Sequence, residues 1–345
     1  MKAIYIETHG GPEVLTYGEM PEPEIEPHEV KIRVRACSVN RLDTYTRAGI
    51  RGTRNRVSHP LVLGGDASGD VVEVGLNTRK VSVGDRVLVN PRISCGICSY
   101  CASGNDDLCL DSKFMGTDVN GSYCEFIKAP ESNIYLIAPH VSYEEAASVP
   151  TVYLPTWNIL VRRAKLKPWE TVLVLSASAG VGTAAIQVAR NVIGARVIAT
   201  TSSQDKIAKA QEIGASHVID YSQEDVAQRV HELTDGVGVD VVVDHVGSEF
   251  FTSAYNALAN GGRYGVCGVT SGYRSELNMG ALFTKHLQIF GVFMGCKEDM
   301  RQIVEMLDKG RIRPKIHRTF PLEWAADAHV TMEERKFFGK LVLRP

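Results

Sequence analysis

No lysine- or arginine-rich tract interrupts the 345 residues, and the formal net charge is −2. The chain therefore lacks the electrostatic footprint of a protein that binds nucleic acid or a membrane surface. Its amino terminus, MKAIYIETHGG, lacks the apolar core and small-residue cleavage site of a secretory signal, so a cytoplasmic location is expected. Long hydrophobic runs are scarce. The uncharged stretch from Thr171 to Ala189 is broken by Gly180 and Gly182 and filled with serine and alanine, which suits a strand, turn and helix better than a membrane span. Internal repeats and low-complexity segments are also absent.

What is present fits a two-domain enzyme, since 345 residues exceed the comfortable size of one hydrophobic core. The first third alternates short apolar runs, such as VKIRVRACSV and GDVVEVG, with glycine, proline and aspartate turns, the pattern of a β-rich domain. From about residue 170 strands alternate with helices. That rhythm predicts a doubly wound parallel sheet, because parallel strands need crossover connections. The final forty or so residues leave the rhythm and are expected to rejoin the first domain.

The turn SASAGVG, Ser176 to Gly182, joins a buried strand to a helix. Small residues let backbone approach a pyrophosphate, and the helix amino terminus offers unpaired N–H groups, so Ser178, Ala179, Gly180, Val181 and Gly182 are candidate dinucleotide contacts. A carboxylate for the ribose hydroxyls is missing where the second strand ends. The chain reads TTSSQDK there, and Thr201, Ser202, Ser203 and Lys206 suit a 2′-phosphate, pointing to NADPH over NADH. A solvated helix face is the competing role for Lys206. Tyr221, His245 and Gly268 complete the candidate cofactor contacts, with an ordinary loop histidine the competing role for His245.

Eight cysteines in a reducing compartment argue against a disulfide framework. Four of them, Cys95, Cys98, Cys101 and Cys109, are spaced x2, x2, x7 and read as a metal site.

Together, the β-rich domain, this lobe, the central dinucleotide domain and the tail GKLVL resemble the medium-chain dehydrogenase/reductase superfamily over essentially the whole chain. The segments SVNRLDTYTRAG, AASVPTVYLPTWNIL and SASAGVGTAAIQVA look most like its quinone oxidoreductase and enoyl reductase branch. The lobe is similar to that of zinc alcohol dehydrogenases. The implied fold is α/β, with a GroES-like domain from 1–150 and 297–345, a lobe at 91–112, and a Rossmann domain at 151–296.

By the same resemblance the four cysteines hold one structural zinc per chain. Four thiolates close a tetrahedral site and leave no open position for substrate. Where zinc alcohol dehydrogenases place catalytic ligands, this chain has Asn40, Gly65 with Asp66, and Thr151; Leu42 stands where their proton-relaying hydroxyl would be. Cys37, at an odd offset from Asn40 on a strand, is expected to face the other way and pack in the core. A catalytic zinc is therefore not expected.

Without a metal or strong acid, the accessible acceptor is an alkene conjugated to a carbonyl, or a quinone, because charge spreads into an enolate that a few donors can stabilise. The expected activity is thus NADPH-dependent reduction of such a small-molecule substrate. Asn40 and Tyr45 are the candidate catalytic groups, with Tyr45 the proton donor or else a residue packed beneath the loop. Asp43 is expected to order that loop, and Asp66 has no assignable role. The branch's threonine in the helix before the Rossmann domain is Pro155 here, with Thr156 next, which puts its hydroxyl contact to nicotinamide in doubt. Arg47, Arg51, Arg54 and Arg56 crowd a segment that by resemblance borders the substrate mouth; they read as a solvated loop balancing nearby acids, or as receivers of an anionic or CoA-linked substrate. The rivals are a zinc-type alcohol or aldehyde dehydrogenase, and a protein that binds NADPH with little turnover. By resemblance LQIFGVFMG forms a sheet edge through which the chain makes a homodimer or homotetramer.

Overall fold

The computed structural model describes residues 1–50 and 60–345. The chain divides into two compact units, one formed by residues 1–151, 296–308 and 314–345, the other by residues 152–295 and 309–313.

The first unit is built on the strand Glu29–Val39. Its alternation buries Val30, Ile32 and Val34 while Lys31, Arg33 and Arg35 point outward, the period-two signature of a half-buried strand. Asp66–Val74 and Phe126–Pro130 pair with it antiparallel, and Lys340–Arg344 joins beside them. The tail therefore returns to the first sheet, where Leu341 and Leu343 enter the core. Cys37 is sealed in that core, its thiol 3.7 Å from the Leu343 carbonyl.

The helix Arg41–Ala48 follows directly, with its N-cap residue Asn40 in extended backbone and Gly49 ending it at φ 68°. A left-handed terminus of this kind favours glycine. Another glycine is required at Gly64, where φ is 90° and an added Cβ would come within 2.2 Å of the Tyr123 ring.

The second unit is a parallel sheet with the spatial order His217–Asp220, Arg196–Thr201, Thr171–Val174, Val239–Asp244, Leu258–Val266, Gln288–Gly291. Chain order reverses between Thr171–Val174 and Val239–Asp244, so this sheet has the switch point at which α/β folds bind ligands. Near-continuous apolar strands, TVLV and VVV among them, reflect burial on both faces. The uncharged stretch from Thr171 to Ala189 forms the strand Thr171–Val174 and the helix Gly180–Gln187, and no helix among the described residues is long and apolar enough to cross a membrane.

Candidate functional site

In the second unit, the turn after Thr171–Val174 runs through Ser176, whose φ is 53°, into the helix Gly180–Gln187. Gly182 lies so close to the strand end that a Cβ there would sit 2.2 Å from the Ser176 carbonyl oxygen. Any larger residue would push the helix off the turn. Ser178, Ala179, Gly180 and Val181 remain partly exposed around the helix amino terminus, as an anion cradle requires. These residues fit a dinucleotide pyrophosphate.

Thr200 and Thr201 close the neighbouring strand and are buried; the Thr200 hydroxyl accepts the Ser176 N–H at 3.0 Å, tying the two strand ends together. Ser202 is exposed, Ser203 donates to the Asp205 carboxylate, and Lys206 is half-buried. Burial draws the Lys206 ammonium below its ordinary range. Tyr221 stacks edge-on against Phe250 with 4.6 Å between ring centroids. His245 stands at the carboxyl end of Val239–Asp244, its Nε2 donating to the Leu175 carbonyl at 2.9 Å, and Gly268 packs against its backbone. Thr156, beside Pro155, is fully buried and donates to the Val152 carbonyl of the helix Pro150–Trp157.

In the first unit, Asn40, Asp66 and Thr151, which the resemblance sets at the zinc-ligand positions, meet around one carboxylate. Asp66 Oδ1 accepts from the Thr151 N–H at 3.1 Å and the Thr151 hydroxyl at 2.7 Å. Its Oδ2 accepts from the Ser38 hydroxyl and from Asn40 Nδ2, both at 2.8 Å, with Lys340 Nζ at 3.7 Å. Lys340 also donates to Asn40 Oδ1 at 2.5 Å, so both ends of the Asn40 amide are engaged and its orientation is set. Asp66, Ser38, Asn40 and Lys340 are all buried. Desolvation lowers the Lys340 pKa while the Asp66 charge opposes that loss.

This donor set does not fit a catalytic zinc ion. It offers neither thiolate nor imidazole, and the one carboxylate is saturated by four hydrogen bonds and an ammonium that would repel a dication. Ser38 and Lys340 escape notice in the sequence, although a lysine inside the apolar run KLVL is itself a signal that a buried partner must exist.

Asp43 accepts the Asn40 N–H at 2.8 Å, ordering the helix start, and also the Tyr123 hydroxyl at 2.9 Å. Burial pushes its carboxyl up to about 7. Tyr45 is half-buried on the same helix.

Arg47 corrects an expectation. Rather than facing a substrate mouth, it is buried, with Nη2 2.5 Å from Glu333 Oε1, Nε donating to the Gly10 carbonyl and Nη1 3.2 Å from His329 Nδ1. A guanidinium with these partners is not available to a phosphate. Arg51, Arg54 and Arg56 lie outside the described residues.

The lobe brings Cys95, Cys98, Cys101 and Cys109 together, with all four Sγ atoms within 4.8 Å of one another. The Cys95–Cys101 and Cys98–Cys101 separations are 3.9 and 3.6 Å. A tetrahedron with the usual zinc–sulfur bond length has an edge of roughly 3.8 Å. Backbone N–H groups of Cys98 and Cys95 point at Cys95 Sγ and Cys109 Sγ, at 3.4 and 3.3 Å, where they would stabilise thiolates. The four cysteines therefore fit a metal ion, and among the described residues they are the one cluster able to hold it.

Residues 26–139 match the alcohol dehydrogenase GroES-like domain, and residues 180–309 match the zinc-binding dehydrogenase family. A quinone oxidoreductase of Pseudomonas aeruginosa is 32% identical, covering 100% of this chain and 99% of its own. The chain belongs to the medium-chain dehydrogenase/reductase superfamily. Within that superfamily it is similar to an NAD-dependent alcohol dehydrogenase of Sulfolobus acidocaldarius, 31% identical over 100% of this chain and 99% of that protein. The crystal structure of an NAD-dependent alcohol dehydrogenase superposes with a TM-score of 0.96 at 39% identity, covering 100% of both chains. Superfamily membership and these relatives make the protein an oxidoreductase with the GroES-like and Rossmann folds.

Proposed function

We propose that this oxidoreductase reduces an activated carbon–carbon double bond, in an α,β-unsaturated carbonyl compound or enoyl thioester, or a quinone, using NADPH and no catalytic metal. The observation that carries the reading is the saturated Asp66 cluster, whose carboxylate is engaged by four hydrogen bonds and an internal ammonium at the residues the resemblance sets at the zinc-ligand positions. A simple ketone needs a strong electrophile at its oxygen, whereas an enolate or quinol anion is delocalised and needs only modest donors.

When bound, the reduced nicotinamide supplies the hydride. The turn from Ser178 to Gly182 would hold the pyrophosphate, and Ser202, Ser203 and Lys206 would receive a 2′-phosphate. Lys340 and Asp66 fix the Asn40 amide, and Tyr45 is the candidate donor of the proton that completes the reduction. Cys95, Cys98, Cys101 and Cys109 would hold one structural zinc, whose closed thiolate shell shapes the lobe and takes no part in the reaction. A small-molecule substrate and self-association go with this reading. The strand Gln288–Gly291 ends its sheet, and pairing with a second copy would satisfy its free edge.

The names of the relatives favour a second reading, alcohol or aldehyde dehydrogenation. Loss of reduced-nicotinamide absorbance with crotonyl-CoA, a simple quinone and an aliphatic aldehyde separates the two. Turnover of the enoyl-CoA or quinone without the aldehyde is expected; turnover of the aldehyde alone would overturn the proposal, and binding without turnover would leave a sensing role.

A further inference from the structure

A second row of buried polar side chains in the first unit is used by neither the Asp66 cluster nor the lobe. Arg47 Nη1 lies 3.2 Å from His329 Nδ1, and His329 Nε2 lies 3.3 Å from the Tyr123 oxygen. Tyr123 donates to Asp43 Oδ2 at 2.9 Å, and the same oxygen accepts the Asn40 N–H. Tyr123 and His329 are fully sealed from water, Asp43 and Arg47 almost so.

Donor chemistry sets the direction of the row. A guanidinium only donates, so His329 Nδ1 is the acceptor and carries no proton. Burial and the neighbouring Arg47 keep the imidazole neutral, which places its one proton on Nε2, facing the Tyr123 oxygen. The tyrosine proton then points to Asp43. Each link is oriented toward the carboxylate. Because arginine does not release its proton, the row cannot pass protons onward and acts as a fixed line of dipoles.

We propose that His329 and Tyr123 are positioning residues: with Arg47 they form a one-way hydrogen-bond chain that steadies the Asp43 carboxylate and, through it, the Asn40 backbone at the start of its helix. The consequence for catalysis rests on the role given to Asn40 above; the chain itself does not. Asp66 and Lys340 also act on Asp43, the first opposing its charge and the second favouring it. The neighbouring Cys37 is kept a neutral thiol by burial.

The test is NMR on the full-length protein. Long-range nitrogen–proton spectra, with His329 assigned by its loss in His329→Gln, should show the Nε2–H tautomer unchanged from about pH 5 to pH 8, where free histidine titrates. An Nδ1–H tautomer or a titrating ring overturns the chain. This spectrum uses the unaltered protein, so it decides the point even where a variant does not fold. The Asp43 carboxyl carbon, assigned with Asp43→Asn, and the Asn40 amide should share one titration midpoint. Tyr123→Phe should raise the carboxyl's proton affinity roughly tenfold, as expected for losing a hydrogen bond to a charged group. An Asn40 amide indifferent to Asp43, or a midpoint unmoved in Tyr123→Phe, contradicts the proposal. None of these readouts needs turnover, so failure of the proposed reductase activity would leave them intact.

Discussion

Lys340 Nζ stands 3.7 Å from Asp66 Oδ2, and both side chains are closed off from solvent. The two are far apart in the chain and meet because the strand Lys340–Arg344 pairs with Glu29–Val39, which in turn pairs with Asp66–Val74. A buried ion pair adds little over a well-packed apolar replacement, yet removing one partner strands the other.

Lys340→Met alone or Asp66→Asn alone should therefore destabilise the fold by about 3–5 kcal/mol. The double variant should cost clearly less than the sum of the two. Denaturant unfolding of the four proteins reads this directly, and additive losses would show that the pair does not interact.

His329 and Asp43 give stability opposite pH slopes. Burial and Arg47 hold the imidazole down to about 3 from an unfolded value of 6.5. Between these values the unfolded chain binds a proton that the folded chain does not, so this contribution grows as pH rises and is lost on acidification. Asp43 is pushed from 3.8 up to about 7, so over that window the folded chain holds the extra proton and stability falls as pH rises. His329→Gln should flatten the gain in stability with pH on the acid side, and Asp43→Asn should steepen it. Unfolding curves at stepped pH check both, and parallel profiles for all three proteins would refute the assignment.

Local pattern made the second unit legible, since strand, glycine turn and helix follow one another over a few residues and burial on both faces leaves apolar strands. The cysteine lobe was equally readable because its ligands lie within fifteen positions. Asp66 has no role legible in the sequence because its partners stand at Ser38, Asn40, Thr151 and Lys340, which only strand pairing and the placement of the helix Pro150–Trp157 bring together. Arg47 reads with its arginine neighbours for the same reason. Its partners His329 and Glu333 lie 282 and 286 residues away.

Replacing Lys206 should change the choice of cofactor. If its ammonium receives a 2′-phosphate, Lys206→Ala raises KM for NADPH roughly tenfold, the scale of one charge-assisted contact, and leaves NADH almost unaffected. Steady-state kinetics with both cofactors make the comparison. Equal effects on the two, or a native preference for NADH, would return Lys206 to an ordinary place on its helix.

Zinc per chain tests most directly whether the proposed reduction proceeds without a catalytic metal. Elemental analysis of protein purified with zinc and freed of excess metal should give one zinc per chain, and Cys95→Ser with Cys98→Ser should remove it. Two zinc ions per chain, one of them surviving the loss of those cysteines and lost on replacing Asp66, would contradict a reaction without catalytic metal.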